Sequence, residues 1–310
     1  MLIIGCGSAG ERHLKNLLTL RQECFVYDRD VERMKKMVGR YKVSIYDFAS
    51  HHLHMDSWVV ATPPEYHIPF ALEALSHNSH VFIEKPFSNT LDRVDEVIEK
   101  AKAQNRILMI GYQFRFNNAL RHVKSLIESG GIGRVMCIRA EVGQDLRDWH
   151  PQEDYRSLYT CETGAVLDCS HEIDYVQWLA GSEVIEIQGM CGKLSDLEMS
   201  AEDTAEINMR FENGIIANVH LDCVQRKYSR WCKVIGTKGT FNWTYPNRVT
   251  LSIPGKSDTL DPCFLINDDM YLAEMQHFIL AIETGIPPLV SGEEGKKVLE
   301  ICLKAKGELK

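Results

Sequence analysis

Leu2-Ile3-Ile4-Gly5-Cys6-Gly7-Ser8-Ala9-Gly10 decides the fold: an apolar run, then a GxGxxG, then a helical pattern. Glycines in this frame permit a tight turn, close approach of backbone to a pyrophosphate and tight packing of helix on sheet, and the helix N-terminus offers unpaired N–H groups to the anion. A glycine-rich turn without a ligand is the plain alternative. The dinucleotide reading gains from an acid expected about 20 positions later. Asp28 supplies it, at the end of the apolar run Cys24-Phe25-Val26-Tyr27.

Working outward, Val43 to Tyr46, Trp58 to Ala61, His80 to Ile83 and Ile107 to Ile110 read as further strands. Ala9 to Leu20, His67 to His77 and Leu91 to Gln104 read as amphipathic helices between them. Strands alternating with helices predict a doubly wound parallel sheet with helices on both faces. After a helix over Asn118 to Ser129 the texture changes to longer alternating segments: Val135 to Val142, Val184 to Met190, Thr204 to Phe211, Ile215 to Leu221, Trp231 to Ile235, Phe241 to Thr244 and Val249 to Ile253. Asn213-Gly214 predicts a hairpin with a type I′ turn. Asp269 to Ile282 and Glu293 to Ala305 read as closing helices. The expected fold is α/β, with a dinucleotide-binding domain over 1–117 and a second α/β domain over 118–310. The second carries a mostly antiparallel open sheet, and its C-terminal helix packs back on the first domain.

Composition narrows the partners. The 310 residues are 45% apolar and 25% charged, with 35 basic against 43 acidic side chains and a net charge of −8. A globular core is expected, and no basic footprint exists for nucleic acid or anionic lipid. No apolar run approaches the ~18 residues of a membrane span, and the start has no leader pattern. Ten cysteines stand singly, without a CxxC pair, as small buried hydrophobes in a reducing compartment. A cytoplasmic location is expected.

The chemistry-bearing residues gather at strand ends. Asp28 is placed to accept from ribose hydroxyls and repel a 2′-phosphate, which favours NAD. Arg29 stacks on adenine, pairs with the phosphate of NADP, or is a solvated arginine. Ala61-Thr62-Pro63-Pro64 and Glu84-Lys85-Pro86 end two strands at the carboxyl edge, where open α/β sheets bind ligands, and Lys85-Pro86 is a candidate cis bond. Lys85, over the nicotinamide, is placed to hold a substrate hydroxyl; elsewhere such a lysine is merely exposed. Asp168, His171 and Asp174 share a face if 168–174 is one helix, with Gly181 as its stop. In the plainer reading Asp168 or Ser170 is an N-cap and His171 an interior histidine. No supporting ligand spacing favours a metal. His51-His52-Leu53-His54 reads as a solvated cluster. The long loop from Gly143 to Thr163 carries Asp145, Arg147, Trp149, His150, Asp154, Tyr155 and Arg156: aromatic faces and hydrogen-bonding groups that suit a sugar ring and arginines that suit a phosphate or carboxylate, or else an ordinary loop with a packed tryptophan. Tyr112 to Asn117, with Tyr112 and Arg115, forms another pocket wall or a hinge.

This order of signals resembles the glucose-fructose oxidoreductase, inositol dehydrogenase and rhizopine-catabolism family, Gfo/Idh/MocA. The resemblance runs over Gly5 to His13, Asp28, Ala61 to His67, Glu84-Lys85-Pro86 and Asp168 to Asp174. It implies an N-terminal Rossmann domain and a C-terminal domain whose open sheet mediates dimers or tetramers. It also implies reversible oxidation of a sugar or cyclitol hydroxyl with NAD or NADP, without metal. On this likeness Gly5, Gly7, Ser8, Ala9, Gly10, Asp28, Arg29, Thr62, Pro63, His67, Glu84 and Lys85 bind cofactor. Tyr112, Arg115, Trp149, Tyr155, Arg156, Asp168 and His171 face substrate. His171 matches the general base, and Asp168 departs from the pattern, standing three residues before the histidine where many members have four. Trp149-His150-Pro151 with Asp154-Tyr155-Arg156 looks like members serving surface-glycan and acidic-sugar synthesis, which points to a sugar or nucleotide-sugar. The expected mechanism brings Lys85 and His171 together beside the nicotinamide: His171 takes the hydroxyl proton, Lys85 holds the developing alkoxide, and Asp168 orients or stabilises His171 as it becomes charged. Alternatives are a non-catalytic dinucleotide sensor on the same fold, or a reductase of a dihydrodiol or tetrapyrrole.

Overall fold

The structure is a computed structural model that describes residues 1–48, 54–149, 163–246, 248–256, 259–260 and 269–309. The described residues form two compact units: Met1–Gln113 with Asp269–Leu299, and those of 114–268 with those of 300–310. The expected boundary lay at 117/118. Phe114 joins the second unit because its ring packs on Tyr175 and Trp243 at 6.1 and 5.8 Å.

In the first unit, β1 (Leu2–Ile4), β2 (Phe25–Tyr27), β3 (Ser44–Ile45), β4 (Ser57–Val60), β5 (His80–Glu84) and β6 (Leu108–Gly111) form a sheet in the order β3-β2-β1-β4-β5-β6. Every neighbouring pair is parallel. This is the doubly wound order of dinucleotide-binding sheets, in which ligands lie at the carboxyl ends near the reversal between β1 and β4. The central strands are buried on both faces, as their unbroken apolar runs predict. The helices are α1 (Ser8–Thr19), α2 (Val31–Tyr41), α3 (His67–Ser76) and α4 (Val94–Ala103). Sequence reading passed over α2, whose surface is mostly charged and whose inward residues are Met34 and Met37. Its signal was Asp30, which accepts from Glu32 N and Arg33 N as an N-cap.

The second unit holds α5 (Asn118–Glu128), β7 (Val135–Gly143), α6 (Leu146–Trp149), α7 (Gly164–Asp168) and α8 (Ser170–Ala180). The chain continues through β8 (Val184–Gly192), β9 (Thr204–Phe211), β10 (Ile216–Asp222), β11 (Ser229–Gly236), β12 (Thr240–Thr244), β13 (Arg248–Ser252) and β14 (Thr259–Leu260). Its sheet runs β14-β13-β12-β11-β7-β10-β9-β8. All pairs are antiparallel except β7 with β10, which makes the sheet mixed but mostly antiparallel, as expected. Two helices close the chain, α9 (Met270–Thr284) and α10 (Gly292–Ala305). In the first unit, Phe278 of α9 meets Phe82 at 5.7 Å, and the Arg12 guanidinium lies 4.2 Å from the Tyr271 ring centre. Among the described residues no helix is long and apolar enough to cross a membrane.

Two local expectations change. The β9–β10 hairpin exists, but only Gly214 takes positive φ, +85°, and Gly214 N donates to Phe211 O at 2.9 Å. The loop is a turn followed by a left-handed glycine rather than type I′. The segment 168–174 is not one helix: Cys169, at φ −94° and ψ 24°, separates α7 from α8. Asp168 therefore ends one helix while His171 sits in the first turn of the next. Neither Asp168 nor Ser170 is an N-cap; Cys169 holds that place, without a side-chain bond. Gly181 stops α8 with φ 61°, as its position predicted.

Candidate functional site

The first unit gathers Gly5 to Gly10, Asp28, Thr62, Pro63, Glu84 and Lys85 at the carboxyl ends of β1, β2, β4 and β5. The glycines have different reasons. Gly5 stands at φ +99°, and a Cβ there would meet the Ala61 carbonyl carbon at 2.7 Å; a Cβ at Gly10 would collide with the Gly5 carbonyl. These two are demanded by the fold. At Gly7 the nearest atom to a Cβ is Arg33 Nη1, 4.0 Å away. The middle glycine leaves open space at the start of α1, which fits the approach of a pyrophosphate.

Asp28 secures the turn. Its Oδ2 accepts from Cys6 N at 2.6 Å and its Oδ1 from Asp30 N at 2.8 Å. Arg29 neither stands alone in solvent nor lacks a partner, since its guanidinium lies 4.2 Å from the Tyr66 ring centre. Thr62 Oγ1 is buried at this edge with no hydrogen-bond partner among the described residues, a polar group that calls for one. Together the bare Gly7, the Asp28 carboxylate and the Thr62 hydroxyl fit a dinucleotide.

His67 and Glu84, expected to touch cofactor, sit in the interior. His67 is fully buried, with Nδ1 2.8 Å from the Pro86 carbonyl oxygen and Nε2 2.8 Å from that of Thr62. Burial pushes its pKa down, against the pull of these carbonyls and of Glu84. Glu84 accepts from His13 Nε2 at 2.5 Å and, through its other oxygen, from Lys85 N at 3.1 Å. Burial alone would raise the Glu84 pKa; the hydrogen bond from His13 and the charges of Lys85 and Arg12 outweigh it and hold the carboxyl below the usual range. Lys85 is half-buried, and the Lys85–Pro86 bond is cis.

The second unit holds His171 and Asp168. His171 is 6% exposed, its ring edge-on to Phe114 at 5.2 Å. Asp168 is half-buried at the end of α7. Close by in sequence, Cys169 lines a cavity of about 290 Å³ together with Val142, Gln144, Asp222, Tyr228 and Arg230. The charges around it are paired. Arg230 Nε lies 2.8 Å from Glu172 Oε1, and its guanidinium covers Phe114 at 4.5 Å. Asp222 accepts from Val224 N and Gln225 N, and its Oδ2 lies 3.0 Å from His220 Nε2.

Tyr112 and Arg115, expected as pocket walls, are 0% and 2% exposed. Arg115 donates to the Asp174 carboxylate at 2.8 to 3.1 Å, so its charge belongs to a buried pair. The side chain of Trp149, and Tyr155 and Arg156, lie outside the described residues, as do His150, Asp154 and His51 to Leu53. Sequence reading assigned no role to His13, Tyr271, Glu172, Asp222 or Arg230. Arg230 had a signal: in β11 it shares the inward alternation of Cys232 and Val234, where an arginine needs a buried partner.

Comparison with known proteins places both parts of the chain in one family. Residues 1–112 match the oxidoreductase family model with an NAD-binding Rossmann fold, and residues 120–242 match the GFO/IDH/MocA C-terminal domain. Myo-inositol 2-dehydrogenase of Thermotoga maritima is 28% identical, over 99% of this chain and 95% of that protein. Among solved structures, levoglucosan dehydrogenase in complex with NADH and levoglucosan is similar with TM-score 0.88 at 19% identity, covering 99% and 96% of the two chains. UDP-N-acetylglucosamine 3-dehydrogenase from Acidithiobacillus ferrooxidans has TM-score 0.84 at 21% identity, with 99% and 96% covered. With both halves of the chain matched in order, this protein belongs to the Gfo/Idh/MocA family of NAD-binding oxidoreductases.

Proposed function

We propose that the protein is an NAD-dependent dehydrogenase of a neutral polyhydroxylated ring, a cyclitol or an uncharged sugar. The observation that carries the substrate class is the pairing of the two charged side chains that line the cavity among the described residues: Arg230 lies against Glu172 and Asp222 against His220, so the lining arginine is already matched by a carboxylate. Gln144, Tyr228 and Asp222 remain as hydrogen-bonding groups for hydroxyls. The relative named myo-inositol 2-dehydrogenase supports the same class.

Bound NAD supplies the hydride acceptor, and the protein supplies position and proton handling. In this reading His171 takes the proton of the reacting hydroxyl and Lys85 holds the developing alkoxide. Asp168 is the weaker assignment, because the break at Cys169 takes it off the helix that carries His171. Asp28 sets the preference for NAD over NADP by repelling a 2′-phosphate. A second copy of the chain covers the outer face of the eight-stranded sheet, which exposes Met190 and Ile216 at 79 and 48%.

The test is appearance of reduced-nicotinamide absorbance on mixing protein and NAD with myo-inositol, levoglucosan, glucuronate and UDP-N-acetylglucosamine separately. Turnover with the neutral ring compounds supports the reading. Turnover confined to the anionic compounds overturns the substrate class.

A further inference from the structure

A buried hydrogen-bonded chain in the first unit leads from α1 to Lys85. His13, one turn past Gly10, is fully buried with its ring edge-on to Phe82 at 5.0 Å. A histidine on the apolar face of a helix costs stability unless its polar atoms are used, and a leucine would fill the space without that cost. Nδ1 has no hydrogen-bond partner among the described residues, so the ring's polar contact there is Nε2 donating to Glu84 Oε1 at 2.5 Å. Glu84 Oε2 then accepts from Lys85 N at 3.1 Å. The neighbouring strand is cleared for this carboxylate: a Cβ on Gly111 would lie 3.3 Å from Glu84 Cα, 3.3 Å from Glu84 Oε2 and 2.9 Å from Phe82 Cζ.

We propose that His13 is a positioning residue for Lys85. It fixes the Glu84 carboxylate, and that carboxylate fixes the Lys85 backbone and stands as a buried counter-charge to its ammonium. The glycine turn that receives a pyrophosphate and the lysine that handles the alkoxide are thereby joined through one hydrogen-bonded unit. The inference rests on the reading of Lys85 as that lysine, and its test does not depend on turnover.

The test is competitive acetylation of the ligand-free protein with acetic anhydride, with labelling of Lys85 read by mass spectrometry against the exposed lysines as internal standard. His13→Leu removes the donor and keeps the bulk. His13→Gln puts an amide N–H near the place of Nε2. The His13→Leu protein should label at Lys85 about threefold faster or more, because the ammonium loses its fixed counter-charge, and His13→Gln should restore the original rate. Unchanged labelling in His13→Leu, or equal change in both variants, overturns the proposal. If His13→Leu does not fold, Gly111→Ala decides, since it crowds the carboxylate and keeps the His13 imidazole. It should raise Lys85 labelling, and native labelling there overturns the proposal. Loss of turnover in Lys85→Ala tests the underlying reading separately.

Discussion

Asp28 Oδ2 accepts the Cys6 N–H at 2.6 Å, so the acid after β2 holds the turn after β1 as well as standing where a ribose is expected. Asp28→Ala should therefore do two things at once. It should weaken NAD by about tenfold or more, the loss of one charge-assisted hydrogen bond, and narrow the preference over NADP. Isothermal titration with both cofactors checks this; an unchanged NAD to NADP ratio would contradict the role given to the carboxylate.

The glycines separate fold from ligand. Gly10→Ala drives a methyl into the Gly5 carbonyl and should lower the melting temperature sharply. Gly7→Ala meets open space, so its melting temperature should stay near the parent value while NAD affinity falls. Thermal unfolding with and without NAD distinguishes the two.

Glu172 is fully buried, and Arg230 is 13% exposed against it. Removing either partner strands a charge, so Glu172→Ala should cost about 3–5 kcal/mol, whereas Glu172→Leu combined with Arg230→Met should cost much less. Denaturant unfolding of both single variants and the pair measures the coupling. Additive losses would show that the two side chains act independently.

His220 provides a pH dependence. Its hydrogen bond with Asp222 raises its pKa most, burial opposes this, and Glu206 adds to the rise, to about 9 from 6.5. Glu141 stands beside it across the β7–β10 register. A raised folded pKa stabilises fully below the unfolded value and loses that contribution as pH climbs through the folded one. The melting temperature should thus fall between about pH 7 and 10, and His220→Gln should flatten that fall. An equally steep decline in the variant would sink the assignment.

The predicted second copy on the open sheet is checked by sedimentation. Ile216→Glu with Met190→Glu should shift the protein from dimer or larger to monomer without lowering its melting temperature.

Much of the first unit was legible because its signals are local. An apolar run, glycines with distinct steric duties and an acid after the next strand announce a parallel sheet and its ligand edge within the first 28 residues. The same locality made the Asn213-Gly214 hairpin visible, although its turn type was decided by Gly214 alone. The shared face of Asp168, His171 and Asp174 depended on one continuous helix; spacing says nothing of a break, and Cys169 carries no breaking signal. Arg115 and His67 look like ligand contacts in sequence. Only burial beside Asp174, and beside the Thr62 and Pro86 carbonyls, reveals their other use. Partners distant in sequence, such as His13 with Glu84 or Glu172 with Arg230, leave a lone polar residue in an apolar pattern as their trace.

The most direct test of the central claim compares the parent protein with Lys85→Ala and His171→Ala, following NAD reduction by myo-inositol and NAD binding by titration on the same samples. Both variants should lose turnover by about a hundredfold or more while NAD binds within about threefold of the parent. Turnover that survives either substitution, or NAD affinity that falls in step with turnover, would contradict the account.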